Sequence, residues 1–291
     1  MIPPHFDYVR PSSLPDVLRI LREREGEAKL LAGGYSLIPV LKLRLAAPGL
    51  LVDLRDVTGL DGIVETDDDI RIGARATHRQ IVENGLLGDR YPIFAEAGST
   101  IGDPQVRNWG TIGGSCAHAD PAATWPAVLI ATRSSLVCRS EAGERVVAAR
   151  EFFLDTFTTA LTPTEVLTEI RVPRPGPRSG GAYEAIERKA GDFPTAGAAV
   201  QLRLGEDGRI AEVGIGLTAV AEAPFAATDA EALLAGRTPD EGLFREAGRA
   251  AAAQSRPTSD SHGPADYKRA MAAEMTVRAL RRAVARARGE A

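Results

Sequence analysis

Three prolines and three glycines crowd into VPRPGPRSGG, residues 172–181. Proline fixes φ and lacks an amide donor, so neither a helix nor a central strand can run through such a stretch. At 291 residues the chain is also long for a single core. The segment reads as a linker, and the hydrophobic pattern changes across it. We place two domains, at residues 1–177 and 178–291.

Upstream the elements are short. Ser13-Leu14-Pro15-Asp16 has the hydroxyl, early proline and first-turn acid of a helix start, and Leu14, Val17, Leu18 and Leu21 follow at helical spacing. Residues 28–32 and 50–54 read as buried strands, with a glycine turn and a short helix between them. Residues 69–74 alternate as a strand, and Thr77 is placed to cap the helix that begins HRQIVEN. A helix over 121–132, opened by Pro121, precedes strands at 134–139, 144–149 and 165–172. Downstream come longer strands at 182–189, 195–204 and 209–220, then helices at 226–235, 240–254 and 264–288. That order predicts an α+β domain with helices on one face of an antiparallel sheet. The last helix carries Arg278, Arg281, Arg282, Arg286 and Arg288 with no aromatics interleaved. It reads as a solvated or subunit-facing surface.

Composition narrows the function. A net charge of −4 argues against a general nucleic-acid binder. The longest apolar runs, such as WPAVLIA at 125–131, are too short to span a bilayer, so no integral membrane segment is expected. The start MIPPHFDYVRPSS lacks the pattern of an export signal, and the expectation is a cytoplasmic protein. Cys116 and Cys138 alone can build neither a disulfide framework nor an iron–sulfur site.

Two glycine pairs carry the chemistry. LLAGGYSLIPVLK breaks an apolar strand at Gly33-Gly34 and restarts at once with Ser36, while GTIGGSCAHADPA groups Thr111, Gly113, Gly114 and Ser115. Successive backbone amides in a turn form a concavity for an anion such as a diphosphate, and glycine permits the close approach. Two such turns suggest loops that close on one elongated polar ligand. Asp120 is placed to cap the helix after the second loop or to bind a ligand hydroxyl, with the cap the favoured role. A third glycine pattern, Gly214-Ile-Gly216-Leu-Thr-Ala219, fits the dinucleotide fingerprint but alternates straight through as a strand. We assign Gly214 and Gly216 to a close neighbour or bulge. His5, His78, His118 and His262 are scattered, with no metal site and no catalytic triad.

AGGYSLIPVLKLR and PQVRNWGTIGGSCAHADPAATWPAVLIA resemble the two FAD-binding signatures of the flavoprotein (medium) subunit of molybdenum hydroxylases, the carbon monoxide dehydrogenase and xanthine dehydrogenase family. EVLTEIRVP, ERKAGDFPTAGAAV and ADYKRAMAAEMTVRAL resemble its later landmarks, so the match runs end to end. The resemblance implies a two-subdomain FAD-binding domain of the vanillyl-alcohol-oxidase (PCMH) type, then a small α+β flavoprotein C-terminal domain. It implies that Leu31, Ala32, Gly33, Gly34, Tyr35 and Ser36, with Thr111, Ile112, Gly113, Gly114 and Ser115, wrap the diphosphate and ribitol of non-covalent FAD. Ile101 matches a position beside the flavin and Leu167 one near the adenine, while Lys189 and Asp192 lie where the C-terminal domain approaches the flavin.

Three positions depart from the family pattern. Tyr35 stands for His, Gln or Thr, Ser115 for a frequent Asn, and Thr124 for Asp or Glu. The backbone amides, expected to be the main diphosphate ligands, are untouched by these changes. By the same resemblance the chain hands electrons from [2Fe–2S] clusters of a small subunit to an external acceptor. Molybdopterin in a large subunit performs the substrate chemistry, and the whole is a dimer of heterotrimers. No general acid or base is expected here. The alternative readings are a self-sufficient FAD-dependent oxidase or reductase of this fold, and a non-catalytic binding or assembly protein. The first needs a base over the flavin; the second would show damaged glycine loops.

Overall fold

The structure is a computed structural model describing residues 1–290. It opens with β1 (Asp7–Val9), α1 (Leu14–Glu23), β2 (Ala28–Leu31), α2 (Leu37–Lys42) and β3 (Leu50–Asp53). These strands form a parallel sheet in the order β1-β3-β2. Ser13 caps α1 by accepting from the Asp16 N–H, and Val17, Leu18 and Leu21 bury its apolar face against Leu50 and Val52. Central β3 is wholly buried, but β2 is an edge strand and only partly buried, which corrects the expectation for residues 28–32.

The next stretch is β4 (Ile63–Glu65), β5 (Asp69–Gly73), α3 (His78–Val82), α4 (Gly85–Arg90), α5 (Pro92–Thr100), α6 (Pro104–Trp109), α7 (Ile112–His118) and α8 (Thr124–Ala131). It continues through β6 (Ser135–Ser140), β7 (Gly143–Ala148), α9 (Ala149–Phe152), β8 (Phe153–Asp155), β9 (Thr158–Thr159) and β10 (Val166–Pro173). Strands β4-β5-β10-β6-β7 form an antiparallel sheet over a core that includes Trp125, Phe94 and Phe152. Thr77 begins α3 with a full capping box to Gln80. Asp120 does not cap α8. Its carboxylate accepts from the Ala122 N–H in a local turn, so the helix starts at Thr124 instead of residue 121.

Strands run into both ends of the 172–181 segment, because Pro173 closes β10 and the next strand, β11 (Ser179–Glu187), takes in Gly180 and Gly181. The connection thus shrinks to residues 174–178, and β11 is followed by β12 (Pro194–Leu204), β13 (Ile210–Thr218) and β14 (Phe225–Ala226). They are followed by α10 (Thr228–Leu234), α11 (Glu241–Gln254) and α12 (Ala265–Arg288). The four strands form an antiparallel sheet in chain order. Helix α12 lies on one of its faces, but the other is not open. Helix α8 packs there, so close that a Cβ at Gly214 or Gly216 would overlap the carbonyls of Ala131 and Ala127. The glycines rejected as a nucleotide loop are thus the seam between the two halves. The arginine-bearing helix is also not simply solvated. Arg282 and Arg286 reach Glu96 on α5, Arg282 also binds Glu184, and Arg281 binds Glu241.

Candidate functional site

Leu31 ends β2, and residues 32–36 form the turn into α2. Gly34 has φ +84°, a left-handed conformation that glycine adopts without strain. No backbone carbonyl accepts from the N–H groups of Gly33, Gly34, Tyr35 or Ser36 among the described residues; the first such bond runs from Ile38 to Gly34. Ser36 makes no side-chain cap, and Tyr35 and Ser36 are exposed. A turn with several free, consecutive donors has the groups from which an anion-binding nest is built.

The second loop is built differently. Residues 112–118 are helical, with Thr111 as the N-cap accepting from the Gly114 N–H at 3.1 Å. The Ile112 N–H donates to Ala76, Gly113 to Ala74 and Ser115 to Thr111. The expected amide ligands at Gly113 and Gly114 are therefore already taken. What Thr111 and Ser115 retain is their hydroxyl protons, and the Thr111 N–H has no backbone acceptor among the described residues. Gly113 is glycine because a Cβ would press on Ala74.

The two loops meet. Gly33 abuts the backbone of Trp109 and Gly110, and a Cβ at Gly114 would come to 3.9 Å from that of Ala32. Behind them His78 sits in the core, its Nδ1 accepting from Trp125 Nε1 at 2.9 Å and its Nε2 facing Gly110. Burial holds the imidazole down to about 4, with the Arg107 charge adding to the effect, so His78 is neutral near pH 7.

Ile101, at the end of α5, is clamped by Arg107, whose guanidinium donates to the carbonyls of Ile101 and Gly102 at 3.0 Å. The connection between β11 and β12, which carries Lys189 and Asp192, reaches the same turn. A Cβ on Gly191 would stand 2.6 Å from the Gly102 carbonyl. Lys189 is exposed. Burial opposes the charge on Asp192, but the Phe193 N–H and the Arg188 guanidinium hold its carboxyl below the usual carboxylate range. Leu167 is buried on β10 beside Thr168, whose carbonyl accepts from Ala74, the residue bonded to Gly113. The fold thus brings the two loops together and brings Ile101 against the Lys189–Asp192 turn. Thr124 is buried at the start of α8. The sequence names His78 only as one of four scattered histidines and gives no role to Arg107 or Trp109, although both lie inside PQVRNWG.

Residues 4–175 match the FAD binding domain in molybdopterin dehydrogenase, and residues 181–283 match the CO dehydrogenase flavoprotein C-terminal domain. The chain belongs to this family. It is a medium, FAD-binding subunit of the molybdenum hydroxylase type, a component of oxidoreductases. It is 42% identical to the carbon monoxide dehydrogenase medium chain of Afipia carboxidovorans, covering 99% of this chain and 100% of that one. Identity is 36% to the 6-hydroxypseudooxynicotine dehydrogenase complex subunit alpha of Paenarthrobacter nicotinovorans, over 99% and 97% of the two chains. Its structure superposes on carbon monoxide dehydrogenase from Hydrogenophaga pseudoflava with a TM-score of 0.96 at 43% identity, covering 98% and 99% of the chains. Quinoline 2-oxidoreductase from Pseudomonas putida 86 gives 0.91 at 33%, covering 100% and 99%. The medium-subunit fold and the FAD-binding function expected from the glycine signatures are both borne out. No helix among the described residues is long and apolar enough to cross a membrane.

Proposed function

We propose that the cleft between the two loops holds the diphosphate of FAD, and that the chain relays electrons through it. The free amides of Gly33 to Ser36, beside the hydroxyls of Thr111 and Ser115, carry this reading. They offer donors where a dianionic bridge needs them, without displacing an existing bond. Leu31, Ala32, Tyr35 and Gly114 shape the walls, while buried Ile112 and Gly113 seat the second loop on Ala76 and Ala74. Ile101, Lys189 and Asp192 border the isoalloxazine end, and Leu167 the adenine end. FAD when bound supplies electron acceptance and release, and the protein supplies binding, orientation and electrostatics. Neutral His78 and Trp125 brace the second loop from behind, and Arg107 fixes the Ile101 turn.

The domain division lies at residues 177/178. The electrons come from [2Fe–2S] clusters of a small partner subunit and leave to an external acceptor, with molybdopterin in a large subunit. The assembly is a dimer of heterotrimers in the cytoplasm. Support comes from the end-to-end similarity to medium chains of multi-subunit dehydrogenases. Buried thiols add to it: Cys116 and Cys138 are free, and burial raises both, Cys138 to about 11. Neither is a ready thiolate for redox work. Diphosphate recognition is tested by titrating the full chain with FAD and following flavin fluorescence. ADP should compete and adenosine should not. Equal competition by adenosine, or no saturable binding, would reject the loop assignment.

A further inference from the structure

The Lys189–Asp192 turn is the part of the C-terminal half that reaches the Ile101 turn, and it is held from the far side by an unusual arrangement of charge. Arg188 donates to Asp192 at 3.1 Å and to the Ser261 carbonyl at 3.0 Å, tying the turn to the segment that leads into α12. In that segment Asp260 is bound by Lys268 of α12 at 2.6 Å, and the Lys268 side chain is only 6% exposed. Asp260 also accepts from the backbone N–H of His262 at 2.8 Å. Between these two carboxylates stands the His262 ring. Its Nε2 is 3.7 Å from Asp192 and its Nδ1 is 3.8 Å from Asp260. Nε2 is buried and has no hydrogen-bond partner.

We infer that His262 is a positioning residue whose charge pins the Asp192 turn against the flavin site; its purpose, though not its geometry, rests on the FAD reading above. The carboxylates that face it are Asp192 from the β11–β12 connection, partnered by Arg188, and Asp260 from its own segment, partnered by Lys268 of α12, while Glu187 accepts from the Gly191 N–H within the turn. Arg188 and Lys268 each answer one carboxylate, so the four are neutral without the histidine. A neutral imidazole carries one N–H, and its other nitrogen turns a lone pair toward a carboxylate. Protonated, it donates from both nitrogens and attracts both carboxylates at once. The 3.7 Å and 3.8 Å separations then close toward hydrogen bonds, and the Asp192 turn is drawn onto its anchor at Asp260 and Lys268. Deprotonation releases that pull while Arg188 keeps the turn attached. Through Gly191 and Gly102 the change reaches the turn that carries Ile101.

The test needs no flavin turnover. Amide hydrogen exchange across residues 188–193 is measured in the full, FAD-free chain at pH 5.5 and pH 8, corrected for intrinsic exchange. The wild type should be roughly threefold better protected at the lower pH, as expected for a partly exposed ionic contact. His262→Gln should show the weaker protection at both pH values, and His262→Arg the stronger. FAD affinity of the three proteins should follow the same order. Wild-type protection that ignores pH, or a pH response that survives in His262→Gln, would overturn the assignment. A wild type that shows the pH-dependent protection yet binds no FAD would refute the flavin reading, and with it the purpose given to the pin.

Discussion

Gly33 lies directly against the carbonyl of Trp109, with no room for a Cβ between them. This contact joins the parallel sheet's glycine turn to the helix that leads into the second loop. The cleft between the loops is therefore set by protein packing before any ligand enters. Gly33→Ala should force the loops apart, lower stability by about 1–3 kcal/mol as overpacking does, and weaken FAD binding at least tenfold. Gly34→Ala acts differently: it strains a φ of +84° and crowds Ile38. It should cost roughly 1 kcal/mol. Thermal unfolding and FAD titration of both variants separate the two effects.

The seam glycines predict the opposite split. Gly214→Ala or Gly216→Ala would push β13 off the α8 carbonyls and destabilise the fold by roughly 1–3 kcal/mol. FAD affinity, measured well below the unfolding transition, should hardly change. Loss of flavin from the folded seam variants, with none from the loop variants, would mean the wrong glycines bind it.

Glu96 predicts how the halves are clasped. It accepts from Arg282, Arg286 and the Tyr183 N–H. Glu96→Gln removes the shared charge and should cost roughly 1–2 kcal/mol, since the cluster is partly exposed. Urea unfolding in low and high salt checks it, with the loss smaller in high salt.

His78 predicts an acid weakness. Its folded value near 4 lies below the ordinary 6.5, so the unfolded chain binds the extra proton between these limits. Its contribution is complete above about pH 6.5 and is lost as pH falls toward 4. By pH 5 the loss should reach about 2 kcal/mol. Denaturation at pH 7 and pH 5 should show this slope in the wild type and a reduced slope in His78→Gln.

How far the sequence could be read follows from where each cause lies. The Ser13 and Thr77 caps were legible because donor and acceptor sit within three residues. The strand at Gly214–Gly216 was legible from its alternation. The two loops stood out as glycine pairs, but the sequence did not reveal which amides are free. That depends on Ala74 and Ala76 in the turn after β5, which the fold brings under Gly113 and Ile112. The same holds for Asp120, whose local turn competes with helix capping. Glu96 and Arg286 are far apart in sequence, as are Asp192 and His262, and only the fold sets each pair side by side.

We propose that this cleft holds FAD non-covalently inside a molybdenum- and iron-containing assembly. Native purification of the chain, followed by acid precipitation, flavin assay and metal analysis, tests it most directly. We predict one FAD per chain released wholly into the acid supernatant, with molybdenum and iron co-purifying in a larger and a smaller subunit. Yellow colour retained in the pellet, or a stable and fully active homo-oligomer free of molybdenum and iron, would contradict it.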